Sequence, residues 1–198
     1  MLALRRTRNT GLMLGVIWLV WYAAWSEAGD SAITPPARTL AYAVDLLGSA
    51  DFWGHAQATL KAFALALVIS GVGGVALGLL LGVRRFAGEV AEPLLTSLYT
   101  IPKVTLYPVM LLLFGLGMSA KVAFGVIHGI IPVTLFTLAG IRNLPPVLLR
   151  SARAMQLSPR ATALHVMAPA VWPEIASGLR IGFALTFLGV LIGEMFAS

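Results

Sequence analysis

Apolar residues fall into five long blocks along this chain, separated by polar punctuation. The first runs from Gly11 to Trp25, behind Arg5, Arg6 and Arg8. The second covers residues 58–83 without a proline. At ~1.5 Å per residue it spans roughly 39 Å, more than the ~30 Å hydrocarbon core of a bilayer, so it is expected to tilt or protrude. The third, residues 93–117, is interrupted by Pro93, Pro102 and Pro108, carries Lys103 between them and ends on Gly115 and Gly117. The fourth, residues 121–141, holds His128 near its middle and Pro132 as the site of a kink. The fifth starts near Ile175, with Arg180 towards one end and Glu194 towards the other. Blocks of this length predict membrane-spanning helices.

Between the fourth and fifth blocks lies a polar island, Leu148 to Arg180, with its own helix–break–helix punctuation. Leu148, Ala152 and Met155 share one helical face, and Leu149, Arg153 and Gln156 share another. Ser158 followed by Pro159 restarts the backbone. Serine caps a helix by accepting from an orphan N–H, and proline at the first helical position lacks an N–H that would go unsatisfied anyway. Ala161, Leu164 and Ala168 continue at helical spacing, and Pro169 and Pro173 are expected to break the pattern before the last block. A short hairpin held outside the bilayer between two spans is suited to touching something in water.

Composition makes the membrane reading firm. Of 198 residues, 59% are hydrophobic and 11% charged, with a mean hydropathy of +0.89, whereas soluble domains carry about 25% charged residues. Cysteine is absent, so neither a disulfide framework nor a thiolate metal site is available. The net charge of +6 does not call for nucleic acid. Arg5, Arg6, Arg8, Arg84, Arg85, Arg142, Arg150, Arg153 and Arg160 all fall on one side of the predicted spans. The 26–57 linker opposite holds Glu27, Asp30, Asp45 and Asp51 against Arg38 alone, with Pro35 and Pro36 breaking any early helix. By the positive-inside rule the arginine side is cytoplasmic and the linker external. The first block is an uncleaved span with Trp18, Trp21, Tyr22 and Trp25 as an interfacial anchor, in preference to a signal peptide.

Candidate chemistry is sparse. Gly74, Gly78 and Gly82 recur every fourth residue and predict close helix packing. Lys61 is read as snorkelling to the interface, and His128 as neutral and hydrogen-bonded to a neighbouring helix. The third block is either a broken helix lining a pathway or a short span behind an interfacial lead-in. Glu194 either lines a path, pairs with another helix, or reaches the outer interface. No set of nucleophile, base and orienting group converges, so no catalytic residue, metal ligand or enzymatic activity is expected.

Three runs carry a family resemblance over about residues 51–198: SGVGGVALGLLLG, IPKVTLYPVMLLLFGLGMSAK, and GIRNLPPVLLRSARAMQLSPRATALHVMAPAVWPEIASGLRIG. The chain resembles the permease subunits of bacterial ATP-binding-cassette importers, in the nitrate/sulfonate/taurine branch. Gly193–Glu194 matches a GE that recurs in these permeases. The resemblance implies an all-α polytopic bundle of about five spans. Residues 1–57 form an N-terminal transmembrane helix and external linker; residues 58–198 form the permease domain, with a cytoplasmic coupling loop at 142–169. Arg150, Ala152, Arg153, Gln156, Ser158, Pro159 and Arg160 would shape the contact with an ATPase subunit, and Pro102, Pro108 and Glu194 the path or gate. No GxxxxGK[ST] loop is present, so ATP and Mg are expected on a separate ATPase subunit, two per assembly. A second permease subunit, most simply a second copy, and an extracytoplasmic solute-binding protein would complete the importer. Its place would be a bacterial cytoplasmic membrane, among lipid and without nucleic acid.

The chain departs from that family in two places. The family opens the coupling loop with Glu-Ala-Ala and sets a glycine six residues after the glutamate; here Arg150-Ser151-Ala152 is followed by Gln156. Glutamine there must strain or reshape a turn that glycine enters cheaply, and Arg150 reverses the opening charge. Family members also continue beyond the glutamate with a further loop, at least one more span and a tail, so this chain is expected to lack the usual C-terminal end. Two rival readings stand beside the importer: a secondary transporter or channel, and a non-transporting membrane interaction protein or remnant permease. A co-purifying nucleotide-binding subunit separates the importer from both.

Overall fold

In a computed structural model, residues 2–197 are described, with side chains from Asn9 to Phe196. Arg5, Arg6 and Arg8, counted above as cytoplasmic charges, therefore lie outside the described side chains. The described residues are mostly helical, joined by short turns, without a strand. Two compact units divide the chain, one ending at Ala56 and the other beginning at Gln57.

In the first unit, helix α1 (Leu2–Ala28) is followed by the short α2 (Pro36–Leu47). Pro36 sits in the first turn of α2, where its missing N–H costs nothing. Two of the tryptophans read as anchors tie the turn between them: Trp21 Nε1 donates to Thr34 O at 3.1 Å and Trp25 Nε1 to Asp30 Oδ1 at 2.6 Å.

Helix α3 (Ala50–Val83) has 34 residues, so the second span begins earlier than residue 58. Next come α4 (Arg85–Thr100), a short 3₁₀ turn at Lys103–Leu106, and α5 (Tyr107–Phe114). The third block is therefore longer than 93–117, and of the three prolines expected to interrupt it Pro102 marks the break. Pro93 lies inside α4, and the chain turns through 91° between α4 and the segment Lys103–Phe114. The reason lies with Pro102. It pushes Ile101 out of the helical region to φ −63°, ψ 132°, whereas the helix runs on through Pro93 in its middle. Gly115 (φ +71°) and Gly117 (φ +108°) then make the reversal into α6 (Met118–Arg142), a backbone that side chains other than glycine rarely adopt.

Helix α6 is the hub. Of its apolar stretch 56% is buried within the protein, against 22% for α3 and 28% for the span from Pro159 to Phe196. Gly74, Gly78 and Gly82 face it from α3, where an added Cβ would stand 2.7 Å from Val133 Cβ, 2.5 Å from Thr137 Cβ and 2.9 Å from Ile141 Cβ. Removing every fourth side chain lets the two backbones meet, which supplies the dispersion contact that replaces the hydrophobic effect inside lipid.

The island forms α7 (Pro146–Ala154) and α8 (Pro159–Thr162); a single π turn at Ala163–Met167 joins the latter to α9 (Ala168–Ala197). The expected break at Pro169 and Pro173 is absent: Pro159–Phe196 is one apolar length of 38 residues. The wide π turn immediately precedes Pro169 and takes up the backbone that would otherwise be left without its N–H partner. Among the described residues, four lengths of helix are long and apolar enough to cross a membrane, and five if α4 and Lys103–Phe114 together count as one broken span.

Candidate functional site

The hairpin between α6 and α9 is shaped by its own backbone. Helix α7 starts with Pro146 in its first turn and ends in a Schellman closure: Gln156 N donates to Arg153 O at 3.0 Å and Leu157 N to Ala152 O at 3.1 Å. That closure needs a left-handed residue, and Gln156 supplies it at φ +52°, the one non-glycine residue with positive φ among those described. The turn expected to be strained by glutamine is thus kept, and glutamine adopts the strained conformation. Ser158 then caps α8, its Oγ accepting from Ala161 N at 3.2 Å, with Pro159 in the first turn.

Between the two arms lies a groove of about 440 Å³ lined by Leu148, Ala152, Met155, Leu157, His165 and Val166, among others. Ala152 is its buried floor at 2% exposure, while Met155 on the same face is 70% exposed. Arg150, Arg153 and Arg160 are exposed and have no carboxylate partner among the described residues. Arg153 Nε donates to Leu149 O at 3.3 Å, within its own helix. Three exposed cations without a carboxylate partner among the described residues, beside an apolar groove, make a surface suited to an acidic partner.

At the base of the hairpin, Arg142 reaches back to α4. Its guanidinium pairs with Glu92 and lies 3.9 Å from Glu89, which also holds Arg85 at 3.0 Å. Sequence reading counted Arg142 as a topology charge and missed this tie, because its partners are fifty residues upstream.

Glu194 lies at the far end of the bundle. Its carboxylate accepts from Thr59 Oγ1 at 2.8 and 2.9 Å and pairs with Lys121 Nζ at 3.3 Å. The two charged side chains are 15% and 20% exposed, so a buried-edge pair links α3, α6 and α9. Of the readings left open for Glu194, partnership with other helices describes these contacts. His128 is buried, but its Nδ1 lies 2.8 Å from Phe124 O on the same helix, which corrects the expectation of a bond to a neighbour. Lys61 is exposed. Pro102 sits at the 91° break and Pro108 in the first turn of α5, where it needs no N–H.

A family model, the binding-protein-dependent transport system inner membrane component, matches residues 74–198. The chain belongs to this family. The match takes in the glycine face of α3, the broken span, the hairpin and Glu194. Among similar proteins, a "probable ABC transporter permease protein" of Haemophilus influenzae is 32% identical, covering 94% of this chain and 76% of that relative. The taurine transport system permease protein TauC of Escherichia coli is 25% identical, over 97% of this chain and 74% of its own length. A nitrate import permease protein, NrtB, of Leptolyngbya laminosa is 29% identical, over 97% and 71%. The chain is thus a multi-pass helical membrane protein of the binding-protein-dependent permease family. Its relatives are transport permeases, not enzymes.

Proposed function

We propose that this chain is the membrane-spanning permease subunit of an ATP-driven importer in a bacterial cytoplasmic membrane. Its cargo is a small solute of the nitrate, sulfonate or taurine kind. ATP and Mg act on a separate ATPase subunit, two per assembly, and a second copy of this chain completes the path. An extracytoplasmic solute-binding protein delivers cargo from outside.

The observation that carries this reading is the α7–α8 hairpin within the matched region, with three arginines beside its apolar groove that have no carboxylate partner among the described residues. Arg150, Arg153 and Arg160 offer charge to an acidic rim, and Ala152 and Ser158 hold the two arms at their spacing. Gln156 closes the turn between them. Movement of the hairpin by the ATPase tilts α6 and α9, the two spans that enter and leave it, and alternates access to the path. Relatives named for taurine, nitrate and aliphatic sulfonates support the cargo class.

The test is co-purification followed by uptake. The tagged chain, expressed with a candidate ATPase subunit, should retain that subunit through purification. In proteoliposomes it should accumulate labelled solute only with ATP and the solute-binding protein. Ala152→Trp should keep the chain in the membrane while uncoupling hydrolysis from uptake. Uptake that persists without ATP would favour a secondary transporter, and loss of the ATPase subunit with no uptake would favour a non-transporting protein.

A further inference from the structure

The linker between the first two spans carries a helix with an apolar side left open. In α2, Leu40, Val44 and Leu47 recur at i, i+4 and i+7 and share one face, with Arg38 and Asp45 on the opposite one. The three apolar side chains are 52%, 69% and 52% exposed. A helix of 12 residues is marginal in water and draws its stability from whatever covers its apolar face.

The position of α2 identifies the cover. The apolar length of α1, Asn9–Ala28, has 20 residues, or ~30 Å, the thickness of the hydrocarbon core. Its last turns therefore stand at the external interface. Beyond Ala28 the chain doubles back along α1 instead of leaving into water. Trp21, two turns or ~10 Å short of that end, donates its indole N–H to Thr34 O, two residues before α2. Trp25 donates to one oxygen of Asp30, whose other oxygen holds Arg38, in the first turn of α2, at 3.4 Å. At the far end Trp53 Nε1 donates at 2.8 Å to Leu47 O, one of the carbonyls that the end of α2 leaves open. Three indole N–H groups are thus spent on polar partners along the segment, and their rings suit the headgroup level, where tryptophan collects.

We propose that α2 lies flat in the external membrane interface, with Leu40, Val44 and Leu47 sunk among the acyl chains and Arg38 and Asp45 turned to water. Its partner is the lipid surface itself, continuous with the lipid around the outer end of α1. The charges of Arg38 and Asp45 cancel, so the apolar stripe holds the helix there and attraction to anionic headgroups is not needed. This holds whether or not the chain transports a solute.

The test uses the full chain in phosphatidylcholine nanodiscs. The sequence has no cysteine, so a single one can be introduced and labelled with a fluorophore. Leu40→Cys, Val44→Cys and Leu47→Cys report on the apolar face, and Ala41→Cys and Asp45→Cys on the other; all five side chains are exposed, so the fold should tolerate the labels. Quenching by lipids brominated along their acyl chains and by aqueous iodide is read at each position. The three apolar-face labels should be quenched by brominated lipid about twofold or more above the other two, and by iodide correspondingly less. Replacing part of the lipid with anionic phosphatidylglycerol should leave that contrast unchanged. Equal lipid quenching on both faces, or stronger iodide quenching of the apolar one, overturns the proposal. So does a contrast that appears only with the anionic lipid. Shielding of the apolar face from both quenchers overturns it as well, and shows that a protein, such as a second copy of this chain, covers that face.

Discussion

Gln156→Gly should stabilise the hairpin, against the usual expectation for introducing glycine. Gln156 holds φ +52° to close α7, and its side chain is exposed, so truncation removes no packing. A non-glycine residue in the left-handed region costs about 1–2 kcal/mol. Glycine escapes that cost but gives up about 0.5–1 kcal/mol of extra backbone entropy on ordering. The difference leaves about 0.5–1 kcal/mol in favour of glycine, or roughly a two- to fivefold smaller open population of the turn. Amide hydrogen exchange reads this directly at Gln156 and Leu157, whose N–H groups make the two closing bonds. Exchange at both should slow by that factor in the glycine variant. Gln156→Ala should stay near wild type, since alanine bears the same Cβ penalty, and Gln156→Val should exchange faster because β-branching adds to it. Faster exchange in the glycine variant, or equal exchange in all four proteins, would show that left-handed strain at Gln156 is not what limits the turn.

Other perturbations test the packing and the charges. Gly74→Val places methyl groups where Val133 Cβ already stands 2.7 Å from an added Cβ, and should cost about 1–3 kcal/mol, seen as a lowered unfolding temperature in detergent. Glu194→Gln leaves Lys121 without its carboxylate and should destabilise by about 2–3 kcal/mol, less than a fully buried pair because both side chains keep some exposure. Lys121→Met combined with Glu194→Gln should recover part of that loss, and additive losses would show that the pair is not coupled. Arg142→Glu should loosen α4 from the hairpin base by about 0.2–1 kcal/mol, with Glu92→Arg in the same chain restoring it; no rescue would mean that the tie carries no energy. Gln156→Cys should react with an impermeant thiol reagent only after cells are opened, and labelling from outside would invert the topology.

Five apolar blocks were legible because length and hydropathy decide spanning segments with little help from tertiary context. The glycine face of α3 was legible for a similar reason: a four-residue period can be seen on one strand of sequence, although which helix it meets cannot. Proline positions were read less well. Pro93, Pro102, Pro169 and Pro173 look alike in sequence, yet the helix ends at Ile101, just before Pro102, and runs through Pro93 and Pro173. What separates them is whether the surrounding backbone can absorb one missing N–H. A π turn ahead of Pro169 does so, and its presence is a property of the folded chain. The strained turn at Gln156 was legible through the family resemblance, which sets at that place a glycine that enters the left-handed region cheaply.

The charged contacts between helices of the second unit were invisible for a reason that also explains how α6 is held. Each joins residues far apart in sequence: Arg142 to Glu92 across fifty positions, Lys121 to Glu194 across seventy-three, Thr59 to Glu194 across one hundred and thirty-five. Lys121 lies in the first turn of α6 and Arg142 is its last residue, so the helix is pinned by charge at both ends and by glycine contact along its middle. The two kinds of contact respond differently to displacement. Backbone-close packing at Gly74 and Gly78 loses dispersion within an ångström, whereas an ion pair at a wet end exchanges its partner for water at little cost. The inner pair is the wetter of the two: the Arg142 side chain is 30% exposed and that of Glu92 47%, against 15% and 20% for Lys121 and Glu194. Motion of the hairpin should therefore open the Arg142 end first and leave the Glu194 end closed. Charge-swap rescue at Arg142 and Glu92 reads the order that those exposures dictate.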